Sequence, residues 1–182
     1  MKSARRILTV LLLLSAVVYA RKRDPLTEAE ADELRQVAQE PYKRLKLLIK
    51  FAEARLTSVD EVRADPKEAA GRGKKIHDLL EDFTALIDEM NDNLDVYQGR
   101  PLTKDDRKDF HKGLKEVIAA EERFELKLKD LKSPMASDPK TRVESQDYRF
   151  VIQDAEDALK SSLDMAREYD STGNEPDSPK KK

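Results

Sequence analysis

The chain predicts an all-α protein, an up-and-down antiparallel four-helix bundle, and three observations carry that prediction. Charged residues make up 40% of its 182 residues while Gly and Pro contribute only 5 and 8, a composition suited to long solvated helices. Apolar residues recur three and four apart over long stretches. Capping and stop signals then divide the chain into helices expected at about 27–57, 66–98, 104–132 and 139–169.

Residues 1–20 have the pattern of a signal peptide. Lys2, Arg5 and Arg6 precede an apolar run over 7–18, and the small Val18 and Ala20 suit the positions before a cleavage site. The run is shorter than the roughly 20 residues of a spanning helix. Arg21, Lys22 and Arg23 follow at once, and positive charge on both flanks weakens the orientation signal, so an uncleaved N-terminal anchor is the competing reading. With residues 1–20 removed, 32 bases face 37 acids, a net charge of −5. The bundle domain is then 21–169, followed by a tail over 170–182 with nothing to bury and an expected lack of order.

The first helix opens on Pro25-Leu26-Thr27, where Thr27 and Glu30 fit a capping box. Its inward face is Leu34, Val37, Ala38, Leu45, Leu48, Ile49, Ala52 and Leu56, and Pro41 is expected to kink or break it near Glu40. Over 57–73, two further capping matches, Ser58 with Glu61 and Asp65-Pro66 with Glu68, share the segment with Gly71 and Gly73, which weaken a helix. The second helix has the clearest stripe: Ile76, Leu79, Leu80, Phe83, Leu86, Ile87, Met90, Leu94 and Tyr97 on one face, seven acids on the other. Gly99 is expected to end it in a left-handed conformation, and Pro101 to prevent its resumption.

The third helix repeats the Pro-Leu-Thr start at 101–103, with Asp106 in the first turn and a stripe of Phe110, Leu114, Val117, Ile118, Phe124, Leu128 and Leu131. Ser133-Pro134 is its expected end and Asp138-Pro139 the start of the fourth, whose inward residues run from Val143 through Tyr148, Ile152 and Leu159 to Tyr169. The alternation of starts suggests two helical hairpins of similar design, with Leu34 over Phe110 at an offset of 76. Short connections favour antiparallel neighbours. The acids of the second helix are therefore expected to face Lys43, Arg44, Lys46, Lys50 and Arg55 of the first.

Composition excludes several functions. No cysteine is present, which removes disulfides, thiolate metal sites, c-type haem attachment and a Cys nucleophile. A pI near 5.9 argues against generic nucleic-acid binding. The Gly71-Arg72-Gly73-Lys74-Lys75 stretch lacks both the spacing and the preceding strand of a phosphate loop.

The histidines are His77 and His111, each at the border of an apolar face, and Glu81 stands one turn after His77. A di-iron bundle needs Glu three residues before His, and Lys74 and Lys108 occupy those places. Met90, Met135 and Met165 are the candidate partners for a His–Met haem, and Met90 lies in the apolar stripe as packing. The acidic run over 88–95 fails the calcium-loop pattern at Val96 and Leu102. Glu121 falls on the core seam between Val117 and Phe124, so its carboxyl is expected to be neutral or paired with an Arg or Lys across the core.

No catalytic, cofactor or metal residue can be assigned from these patterns. They point to an exported, non-catalytic protein, periplasmic or secreted, that binds a protein, peptide or envelope component through a helix face or a groove between helices, or that forms a homodimer. The alternatives are a haem or metal carrier using His77, His111, Glu121 or a Met, and a membrane-tethered accessory subunit.

Overall fold

The computed structural model describes residues 23–137 and 145–173, with the side chains of all of these except 134–137 and 173. The expected signal segment, the Asp138-Pro139 start, Val143 and the chain beyond 173 lie outside the described residues. Within them the protein is all-helical, with five helices packed against one another: α1 (Glu28–Gln36), α2 (Pro41–Ala64), α3 (Arg72–Gln98), α4 (Lys104–Ser137) and α5 (Arg149–Gly173). Short 3-10 turns at Pro66–Ala69 and Ser145–Asp147 precede α3 and α5. No helix among the described residues is long and apolar enough to cross a membrane.

The two Pro-Leu-Thr starts do what their chemistry predicts. Thr27 accepts from the Glu30 amide at 3.3 Å while its own amide donates to Glu30 Oε2 at 2.8 Å, satisfying two donors that the first turn leaves without partners. Thr103 accepts from the Asp106 amide at 3.2 Å and donates its hydroxyl to Asp106 Oδ2 at 2.7 Å.

Several boundaries differ from the expected ones. The first predicted helix is two helices, because the chain leaves helical geometry after Gln36 and resumes with Pro41 in the first turn of α2. A proline there forfeits no hydrogen bond, since the first amides of a helix lack carbonyl partners anyway. Ala38 consequently lies in the exposed turn rather than the core. Helix α2 runs a further two turns past Thr57 and brings Val59 into the core, and Phe51, absent from the expected face, is buried as well.

Helix α3 starts at Arg72 rather than 66, because Gly71 takes a left-handed φ of 88° that interrupts the helix. Its end at Gln98 is as expected, but Gly99 is right-handed (φ −76°), so Pro101 makes the stop. Helix α4 continues through Pro134 to Ser137. A proline in a terminal turn disturbs only the last hydrogen bonds of the ladder. Helix α5 begins at Arg149, ten residues after Pro139, and carries on through Asp170 to Gly173.

Packing follows a ring in which α2 touches α3 and α4, and α5 touches α3 and α4. Contacts give the directions. Arg44 pairs with Glu89 and Arg55 approaches Asp82, so α2 and α3 are antiparallel. Glu122 pairs with Arg167 and Lys132 with Glu156, so α4 and α5 are antiparallel. Tyr42 meets Glu116 and Asp60 meets Lys127, so α2 and α4 run parallel.

Helices α3 and α4, joined by the short link 99–103, lie across the core from each other and meet through side chains. Phe83 and Phe124 stand edge to face at 5.5 Å, and Tyr97 and Phe110 at 6.1 Å. A diagonal of roughly 11–14 Å, from neighbours ~8–10 Å apart, is within the roughly 16 Å that five extended residues can span. The short connection therefore does not make these helices neighbours.

The core holds Leu80, Phe83, Ile87, Met90, Leu114, Val117, Phe124 and Ile152, all fully enclosed. Gly113 sets the approach of α2 to α4, since a Cβ there would stand 3.0 Å from Leu45 Cδ1 and 3.7 Å from the Tyr42 ring. Urea unfolding checks both features. Phe83→Ala is expected to lower stability by about 3–5 kcal/mol through the cavity it leaves. Gly113→Val is expected to lower it by about 1–3 kcal/mol through overpacking, although valine is the better helix former. A Val variant as stable as the parent would show that the seam is looser than the 3.0 Å approach implies.

Candidate functional site

A concavity opens beside the 37–40 turn. Because α1 ends at Gln36, Val37, the first residue of the turn, sits beside α2 instead of extending the helix, and a groove of about 590 Å³ opens along the seam between α2 and α4. Helical phase decides its lining. Lys43, Lys46, Leu47 and Lys50 recur three and four apart on one face of α2, and Glu116, Ala119 and Arg123 do the same on α4. The floor is apolar, with Val37, Leu47, Ile49 and Ala119, and the rim is charged.

The rim is unevenly neutralised. Lys43 pairs with Glu40 at 2.5 Å and Lys50 with Glu33 at 3.0 Å. Glu116 accepts from the Tyr42 hydroxyl at 2.6 Å. Arg123 donates only to the carbonyl of Ala119, at 2.9 Å. Neither Lys46 nor Arg123 has a carboxylate partner among the described residues.

The expected match between the basic stretch of α2 and the acidic face of α3 is met by two of its five cations. Arg44 bonds Glu89 Oε1 at 2.7 Å and Asn93 Oδ1 at 2.5 Å. Arg55, eleven residues on and so on the same side of the helix, bonds Glu30 at 2.6 Å and lies 3.9 Å from Asp82. Burial pushes the Glu30 carboxyl upward, but the bonds from Arg55 and Thr27 outweigh it and hold the group below the ordinary range. Burial dominates at Asp82 and raises its carboxyl, in spite of the Arg23 guanidinium beside it. The three lysines face the groove instead.

Glu121 is fully buried, as its place on the seam predicts. Its partner among the described residues is the Ser162 hydroxyl of α5, which donates to Oε1, and not a cation; Oε2 has no hydrogen-bond partner among them. Arg167, a turn further along α5, is engaged at the surface by Glu122 at 2.8 Å. Burial pushes the Glu121 carboxyl up to about 8, against smaller opposing effects of Ser162 and Arg167.

The histidines do not share a site. His77 lies twenty residues before Tyr97 on α3, and Tyr97 touches Phe110, the neighbour of His111, so about 30 Å of helix separates them. Around His77 the ligand atoms of His77, Asp78 and Glu81 fall within 4.8 Å of one another. That set comes from one helix face, and Asp78 also serves Lys74 at 3.3 Å and Arg23 at 3.5 Å. His111 Nδ1 stands 3.6 Å from Asp170 Oδ1. Met90 is enclosed in the core, Met165 is packed at its edge, and the side chain of Met135 lies outside those described. Tyr169 donates to Asp95, which pushes its phenol up to about 12 and ties the ends of α3 and α5 together.

Comparisons with protein-family models, with curated proteins and with solved structures found no match to this chain. Sequence reasoning singled out Glu121 but did not find the groove. The lysine spacing was legible; the neighbour across from it was not.

The Glu121 pair sets a pH dependence. The native state keeps this proton up to about pH 8, whereas the unfolded chain releases it near the ordinary 4.5. Between those values the native state binds more protons, so stability falls as pH rises, by at most about 1.4 kcal/mol per pH unit. Above about pH 8 the native group ionises too and this slope ends. Glu121→Gln keeps the shape without the titration and is expected to flatten the urea-midpoint profile between pH 5 and 8. Parallel profiles for the two proteins would show that Glu121 is solvated in solution.

Proposed function

We propose that the protein is an exported, non-catalytic helical-bundle protein that holds an apolar envelope component in the α2–α4 groove. The reading combines the signal pattern at the N-terminus with a single structural observation, the groove of about 590 Å³ with an apolar floor and a cationic rim. That volume falls within the roughly 300–1,000 Å³ of small-molecule sites. In this proposal the four long helices form one bundle that alternates up and down along the chain as two antiparallel hairpins. Helix α1 packs mainly against α2, and Val37 just beyond its end lines the groove. The site supplies burial and charge, and it contains no arrangement of nucleophile, base and oxyanion donors.

Ala119 offers the test. It is exposed on the groove floor, so a large side chain there fills the groove without entering the core. The wild-type protein is expected to bind a neutral apolar fluorophore such as N-phenyl-1-naphthylamine saturably. Ala119→Trp is expected to weaken that binding by about tenfold or more, equivalent to about 1.4 kcal/mol, while the circular-dichroism melt stays unchanged. Equal binding by the two proteins would place the apolar site elsewhere.

A further inference from the structure

Resting on the groove reading above, we infer that the occupant is a single-chain anionic amphiphile, its acyl tail along Val37, Leu47, Ile49 and Ala119 and its headgroup between Lys46 and Arg123. The argument is one of charge and size. Of the rim cations Lys43, Lys46, Lys50 and Arg123, Lys43 and Lys50 pair with Glu40 and Glu33, and Glu116 is engaged by Tyr42, so Lys46 and Arg123 are the two left without a carboxylate partner among the described residues. Two cations without carboxylate partners beside an apolar floor favour an anionic headgroup over a cationic one.

These two cations are also placed. Lys43 and Lys50 are pinned by Glu40 and Glu33 at the outer edge. Lys46 stands between them on the same helix face, and Arg123 approaches from α4 with its guanidinium donating to a single carbonyl. A guanidinium has five donors in a fixed fork, so most of its capacity is left for an oxyanion. Carboxylate and phosphate headgroups both suit this pair, the first by a bidentate bond and the second by charge and multiple acceptors.

Size separates this ligand from a peptide. A docked helix is ~10–12 Å across with its side chains, and stable protein interfaces bury ~1,200 Å² or more. A groove of about 590 Å³ suits one acyl chain better than a helix. The apolar floor excludes free phosphate or acetate as the preferred ligand, because neither has a tail to bury.

Isothermal titration below the critical micelle concentration tests the inference on the purified protein. The probes are oleate, lysophosphatidylglycerol, the zwitterionic lysophosphatidylcholine, uncharged monoolein and an acidic amphipathic peptide. Oleate or lysophosphatidylglycerol, or both, should bind at least about tenfold more tightly than monoolein and lysophosphatidylcholine, and the one preferred identifies the headgroup. The double variant Lys46→Glu/Arg123→Glu should abolish that preference, bringing the anionic amphiphiles to or below the affinity of monoolein, while the thermal melt stays unchanged. Both residues are at the surface, so the fold does not depend on them. Equal affinity for charged and uncharged amphiphiles, unaltered by the double variant, would overturn the anionic assignment and leave the groove reading standing. Binding of the acidic peptide alone would overturn the lipid assignment in favour of a protein partner. If no amphiphile binds and Ala119→Trp has no effect on the fluorophore, both readings fall.

Discussion

Phe83 and Phe124 meet edge to face at 5.5 Å in the middle of the core, and the arrangement of the other helices follows from that contact. It pairs α3 with α4 across the diagonal, and Tyr97 with Phe110 repeats the pairing near the connecting link. Two helices on a diagonal leave the other two, α2 and α5, at the remaining corners. Helix α2 is thereby set beside α4 in parallel, although 39 residues separate the end of one from the start of the other. The seam between them is the one that carries the groove. The physical origin of the arrangement is the large buried area of four aromatic rings together with their preference for edge-to-face geometry.

Charge is sorted around this frame by helical phase. On α2, Arg44 and Arg55 are eleven residues apart and return to the same side, where Glu89, Glu30 and Asp82 wait. Lys43, Lys46 and Lys50 stand about 100–180° away and look across the other seam at α4. The two sides differ in kind. Arg44 and Arg55 are mostly covered and multiply bonded, which fixes register. The lysine pairs are exposed, and exposed pairs contribute roughly 0–1 kcal/mol each. The α2–α3 seam is thus closed by charge, whereas the α2–α4 seam has cations left over.

The sequence was legible where the determinant is local. Thr27 with Glu30 and Thr103 with Asp106 cap helices through contacts within one turn, so spacing alone reveals them. The stripe from Ile76 to Tyr97 is buried as its period requires, with Leu79 half-buried at its margin, and Glu121 is buried because the same period places it between Val117 and Phe124. What escaped was decided at a distance or by competition. Pro41 separates two helices instead of bending one, because the turn before it lets α1 fold back so that Arg55 reaches Glu30 and the Pro25 carbonyl. The expected cation for Glu121 is replaced by Ser162, since the nearest one, Arg167, is held at the surface by Glu122. The groove needed the identity of the helix facing Lys46, which no local pattern encodes.

Helix α4 is where these constraints meet. Gly113 lets it approach α2 closely at one end, with Leu45 and Tyr42 against the bare Cα. One to three turns later, Glu116, Ala119 and Arg123 face the groove on the same seam. Glu121 lies between the last two and turns to the opposite side, into the core against Ser162. The core therefore gives up stability twice along this stretch, to a carboxyl that lacks a full set of partners and to apolar surface left uncovered on the floor. Such concessions persist only where the surrounding packing is strong enough to carry them. The fully enclosed Leu114, Val117, Ala120 and Phe124 on the same helix supply that strength. A helix held this firmly on its inner face can present an open, charged outer face without losing its position, which is the mechanical requirement of a binding groove.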